Sequence, residues 1–216
     1  MSAESHTLPS IADQAERLIE LGVHELGRFR PAELRSTAAQ AGARAGLLVV
    51  HPDCVPASAL APLLRHQGKS GFVVVDMPDI DQFSPIESTT APDEPFYVLE
   101  DIDRGDHMAN WSPDEALPAI IEKGRTPLLL AEGMHWVLQH PAALERGRCF
   151  MTIGSRLRKD NGTLDARTPA LWISNGTGRD GRDNRDAPKA GWCWAGNRHT
   201  WLGFASAAGR TTARSV

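Results

Sequence analysis

After Ser10, apolar positions Ile11, Ala15, Leu18 and Ile19 repeat at helical spacing and Gly22 closes the run, so IADQAERLIELG predicts a capped helix. RPAELRSTAAQAG predicts a second helix, with Pro31 at its start and Gly42 at its end. The pattern then changes to unbroken apolar runs. GLLVV (46–50) and GFVVV (71–75), bounded by Gly and Pro, predict buried strands. PASALAPLLRHQ between them has the length of a short crossover helix, which predicts a parallel, right-handed β-α-β unit. FYVLEDI (96–102) predicts another strand, ending at the turn-like DRGD.

WSPDEALPAIIEKG carries the clearest local signal. Ser112 predicts the N-cap, Pro113 the first helical position, Glu115 a capping box and Gly124 the stop. Pro118 inside it predicts irregular first turns. Helices follow at roughly 130–140 and 142–147. From Cys149 onward, CFMTIGS, PALWIS, GWCWAG and TWLGFAS are short β-type runs, predicting a mostly antiparallel sheet that ends in a Trp-rich hairpin. The expected class is therefore α/β to α+β, one domain over 1–216, with a frayed tail at 208–216. The loop 175–191 is rich in Gly, Asp and Arg. Arginine after glycine argues against a calcium cage, which needs dense oxygen ligands.

GWCWAGNRHTWLGFAS (191–206) draws most attention. With a two-residue Gly196-Asn197 turn, alternation puts Trp192, Trp194, His199 and Trp201 on one face. Cys193, Thr200, Leu202 and Phe204 take the other. A four-residue turn leaves His199 in the loop, and both registers group the tryptophans and keep Cys193 away from them. Cys193 therefore reads as a packed apolar group rather than a nucleophile served by His199. The tryptophan face either packs against helices or walls a pocket, with Asn197, Arg198 and His199 at its rim. At the end of a strand, Ser155 and Arg156 offer a hydroxyl and a two-point grip on an anion, or form a plain surface turn. The acidic LEDIDRGDH reads as a solvated strand end rather than a divalent-ion site, and HPDC (51–54) as a loop after a buried strand.

Composition adds limits. Three cysteines, Cys54, Cys149 and Cys193, are few and odd in number, which argues against a disulfide framework and for a reducing compartment. No apolar run is long enough to span a bilayer and the first residues lack a basic-then-apolar pattern, so a cytoplasmic location is expected. The formal charge of −4 hides a division: residues 1–140 are acidic, while 141–216 carry 13 Lys+Arg against 6 Asp+Glu. Either the basic part faces an anionic partner or the two parts attract each other. Asp180, Asp183 and Asp186 interrupt the loop arginines, which disfavours nucleic acid as the partner. With no phosphate-loop, dinucleotide, G-x-S-x-G or C-x-x-C motif, no cofactor or metal is expected.

PDEALPAIIEKGRTPL, CFMTIGSR, PALWIS and GWCWAGNRHTWLGFASA, in that order, resemble a family common in actinomycetes and known only as a domain of unknown function. The resemblance implies a shared architecture and supplies no reaction. The residues point to an enzyme acting on a small anionic or aromatic metabolite. In that reading Trp192, Trp194 and Trp201 line the pocket, Arg156 or Arg198 holds the anion, and His199 is the general acid/base. Asn197 and Ser155 complete the expected ligand contacts. The alternative is a non-catalytic protein using the same aromatic face for a ligand or a partner.

Overall fold

The computed structural model describes residues 8–212, the side chain of Arg179 excepted. The N-terminal part holds helices α1 (Ile11–Glu20), α2 (Val23–Leu26) and α3 (Pro31–Ala41), strand β1 (Leu47–Val50) and the short α4 (Ala57–Leu60). The small strands β2 (Arg65–His66), β3 (Lys69–Ser70), β4 (Phe72–Val73) and β5 (Phe83–Pro85) precede β6 (Phe96–Glu100). Then come α5 (Pro113–Glu122), β7 (Thr126–Pro127), α6 (Leu130–Gln139), β8 (Cys149–Met151) and β9 (Ser155–Leu157). The chain closes with β10 (Arg167–Ile173), β11 (Pro188–Trp194), β12 (Leu202–Phe204), β13 (Ser206–Ala207) and β14 (Gly209–Thr212). This mixture of helices and several sheets is an α+β fold.

The caps form as their sequences dictate. Ser10 accepts from the Asp13 N–H at 3.1 Å. Ser112 and Glu115 make the reciprocal capping box of α5, which runs on through Pro118 without interruption. Predicted helix 130–140 appears as α6, and 142–147 contracts to a single 3-10 turn at Pro141–Ala143.

Pairing departs from expectation in three places. First, no β-α-β unit forms. β1 pairs antiparallel with β6, whereas β4 pairs parallel with β11 in a different sheet. GFVVV contributes only two strand residues, and Val75 is 73 % exposed. An apolar run marks burial without naming its neighbour, and the four-residue α4 is too short to cover a sheet face. Second, GWCWAGNRHTWLGFAS is no hairpin. The five-stranded sheet runs β12-β8-β10-β11-β4, so two strands separate β11 from β12. β12 lies parallel to β8, which makes this sheet mixed rather than mostly antiparallel. Gly203 explains the docking: a Cβ there would sit 2.6 Å from the Arg104 carbonyl oxygen, so only glycine lets β12 slide beneath that loop. Third, residues 209–212 are not frayed. They form β14, paired with β6, while 213–216 fall outside the described residues, as do 1–7.

α6 packs on both β1 and β10, and all ten of its residues are buried. It joins the three-stranded sheet β1-β6-β14 to the five-stranded one, so one apolar cluster runs from Ile11 to Ala207. Burial here forces its polar groups to find partners. Glu132 receives the Leu129 N–H (2.6 Å), the Tyr97 hydroxyl (2.8 Å) and the Arg210 guanidinium (2.5 and 2.7 Å). His135 bonds the Ala131 carbonyl through Nδ1 and accepts the Val50 N–H at Nε2, which makes it a neutral imidazole.

The charge division resolves into internal pairing. Arg167–Asp79 (2.6 Å), Arg210–Glu132 (2.5 Å), Arg158–Glu87 (3.5 Å), Arg148–Asp106 (3.4 Å) and Arg198–Glu115 each join the basic part to the acidic one. These pairs favour the mutual attraction of the two parts.

Candidate functional site

The five-stranded sheet has two faces. Register places Thr168, Ala170 and Trp172 of β10 beside Cys193, Gly191 and Lys189 of β11, and sets Met151 and Cys149 of β8 against Ala170 and Trp172. Alternation gives these residues one common face, shared with Leu202 and Phe204. Much of it is covered by Met108, Ala116 and Ile120, forming a second, smaller apolar cluster. One part stays open.

That opening is a cavity of about 450 Å³, within the size range of small-ligand sites. Its floor is Cys149, Ala170, Trp172, Cys193 and Leu202, and His199 and Trp201 also line it. Arg148 and Asn175, both exposed, provide its polar rim. The ring of Trp172 lies over Gly191, where a Cβ would meet it at 2.6 Å. From beyond the cavity Lys189 places its ammonium 4.5 Å from the Trp172 ring centroid, held there by Asp180 at 2.6 Å.

His199 and Trp201 arrive on the segment 195–201, which folds against the start of α5. The Asn110 N–H donates to the His199 carbonyl (2.9 Å) and the Asp114 N–H to the Ala195 carbonyl (3.1 Å). These bonds carry the chain away from β11 and hold both rings in place at the cavity.

The expected site residues therefore divide. His199 and Trp201 meet at the cavity. Trp192 borders it but packs into the larger core, and its buried indole N–H has no partner among the described residues. Trp194 contacts Trp192 edge-on at 4.5 Å, as alternation requires, but is 47 % exposed and does not line the cavity. Asn197 closes the Ala195-Gly196 turn after β11, its N–H donating to the Trp194 carbonyl at 3.0 Å.

Arg198, Ser155 and Arg156 stand apart from the cavity. Arg198 pairs with Glu115. Ser155 accepts the Leu130 N–H at 3.0 Å and so serves α6. Arg156, 8 % exposed, donates to the Asp165 carbonyl. Ser155 and Arg156 hold elements together, because strand β9 turns inward to pair with β5.

Separation of Cys193 from His199 and Trp201 does not hold either. It presupposed a hairpin, and without one the three line a single cavity. Neither thiol there is activated. Burial pushes Cys149 up to about 12. Burial also raises Cys193, partly offset by hydrogen bonds from the Trp194 backbone and Asn197. A nucleophilic thiol needs the opposite shift.

Trp172, Arg148 and Asn175 are not singled out by the sequence, which names Cys149 without placing it beside Cys193. The alternation Ala170-x-Trp172 in PALWIS was the available signal, but only the strand register shows that it faces the same space as Cys193. Elsewhere, Asp101 pairs with Arg125 and Asp103 caps the Gly105 N–H, in keeping with a solvated acidic strand end. His51 accepts the Asp53 N–H in the turn after β1. No group of three or more His, Cys, Asp or Glu poised for a metal occurs among the described residues. No described helix is long and apolar enough to cross a membrane.

The model of one protein family, a family of unknown function (DUF5701), matches residues 17–213, nearly the whole chain. The chain belongs to this family. No curated protein and no solved structure matches it. The matched span takes in every element that builds the cavity, from β8 to the segment carrying His199 and Trp201.

Proposed function

We propose that the protein binds a small, planar aromatic metabolite in the cavity between Trp172, Trp201 and His199. The observation that carries this reading is the cavity itself: the rings of Trp172, Trp192, Trp201 and His199 and two unactivated thiols around about 450 Å³, with Arg148 and Asn175 at the rim. Apolar walls with a few converging polar groups are the usual build of such a site. Flat rings favour a flat ligand, because stacking adds to the area buried.

A second reading is turnover of that metabolite with His199 as general acid/base. It rests on the position of the imidazole, which lines the cavity with no ring hydrogen bond among the described residues and so can reach a ligand. Binding is favoured over it because a general base is ordinarily oriented by a third group.

The test is a thermal-shift panel of indole, adenine, nicotinate, indole-3-acetate and indole-3-acetamide on the wild type, Trp201→Ala and His199→Ala. A ligand of the folded state raises the melting temperature. The expected result is a rise that Trp201→Ala reduces at every ligand concentration. Rises unchanged in both variants would place the site elsewhere. A bound compound chemically altered by the wild type but not by His199→Ala would establish turnover.

A further inference from the structure

From the cavity's charge we infer that its ligand is an anion, an aromatic carboxylate or its like, held by Arg148 at the rim. This inference rests on the reading of the cavity as an aromatic ligand site. Arg148 is the cationic side chain among the lining residues, about half exposed (53 %) and next in sequence to the floor residue Cys149.

Its present partners hold it loosely. Asp106 accepts from Arg104 at Oδ1 and from Arg148 only at Oδ2, at 3.4 Å. Glu145 stands 3.8 Å away, beyond hydrogen-bonding range. Other arginines of this chain are gripped tightly: Arg35 by Glu16 at 2.6 and 2.8 Å, and Arg167 by Asp79 at 2.6 and 2.9 Å. A guanidinium has five N–H donors, and Arg148 uses one of them on a carboxylate at a marginal distance. The remaining donors can take a ligand carboxylate as a two-point pair while the aromatic body enters the cavity. Asn175, also on the rim, can offer its amide to the same group.

The arrangement also explains why a cation serves better here than a neutral donor. Burial raises both thiols and the aromatic walls carry no formal charge, so among the lining residues the formal charge a ligand meets is that of Arg148. The ligand's acid group is placed outward and its ring inward.

The test compares indole-3-acetate with its neutral isostere indole-3-acetamide by isothermal titration on wild type, Arg148→Gln, Arg148→Lys and Arg198→Gln. In the wild type the acid should bind about tenfold or more tightly than the amide, the scale of one charge-assisted hydrogen-bond pair. Arg148→Gln should close that gap by weakening the acid alone, Arg148→Lys should keep part of it, and Arg198→Gln should leave it intact. Added salt should narrow the gap in the wild type. Equal binding of acid and amide by the wild type, or a gap that survives Arg148→Gln, would overturn the anion assignment while leaving the aromatic cavity standing. Failure of both compounds to bind the wild type at millimolar concentration would overturn both.

Discussion

The imidazole of His199 lies on the indole of Trp201, ring centroids 4.6 Å apart and planes 18° apart. Two residues apart in sequence, they stack because segment 195–201 leaves the sheet and is pinned to the start of α5 by backbone bonds from Asn110 and Asp114. The pair forms a flat wall over a floor of strand residues.

Trp201 is 51 % exposed, so the wall contributes little to folding. Trp201→Ala should cost about 1 kcal/mol or less in urea unfolding. It should nevertheless weaken binding of an aromatic ligand about tenfold, the scale of a lost stacking contact plus its buried area. A large stability loss with unchanged binding would make Trp201 a packing residue only.

Gly203→Ala tests the strand order. A Cβ there meets the Arg104 carbonyl oxygen at 2.6 Å, so the substitution should destabilise the fold by about 1–3 kcal/mol through forced backbone shifts. Were β12 the partner of β11 in a simple hairpin, alanine at 203 would be neutral. Equilibrium denaturation distinguishes the two.

Arg210→Met removes the cation that offsets Glu132, which is fully buried. The expected cost is about 3–5 kcal/mol, because an uncompensated charge is left inside. Adding Glu132→Gln should recover part of that loss. A double variant no better than the single one would show that Arg210 acts through its bonds to Thr126 and Pro127 instead.

His135 titrates at about 4 because burial disfavours its charged form. Its folded pKa is thus depressed below the usual ~6.5, and between those values the unfolded chain binds the proton that the folded chain refuses. Stability should therefore be full above about pH 6.5 and fall by about 1.4 kcal/mol per unit as pH drops toward 4. Urea melts at pH 7, 6 and 5 should follow that slope, and His135→Asn should flatten it.

Cys149 should resist alkylation in the native protein. With its thiol pushed up to about 12, the thiolate is about one part in ten thousand at pH 8. Iodoacetamide followed by mass spectrometry should label it only on unfolding. Half-buried Cys193 should react faster than Cys149, and an aromatic ligand in the cavity should protect it.

Local chemistry was readable from the chain. Ser10 and Ser112 cap helices because their hydroxyls meet orphan N–H groups three residues on, which needs no distant partner. Trp192 and Trp194 share a face because alternation is a property of any strand. The family resemblance was likewise carried by contiguous motifs.

Strand partners were not readable. LLVV and FVV are apolar whichever sheet receives them, and only tertiary packing paired β1 with β6 and β4 with β11. The turn forms one residue earlier than Gly196-Asn197, at Ala195-Gly196, where the Asn197 N–H bonds the Trp194 carbonyl, and it does not close a hairpin. Backbone groups near α5 and an open edge on β8 compete for the chain that follows. That competition is settled by contacts between residues some 50 to 90 positions apart, and it brings Cys149, Trp172, Cys193, His199 and Trp201 around one space. The sequence by itself determined the elements, their caps and which side chains alternate. Tertiary structure alone decided which faces meet, because burial rewards any apolar neighbour and only the packed chain selects one.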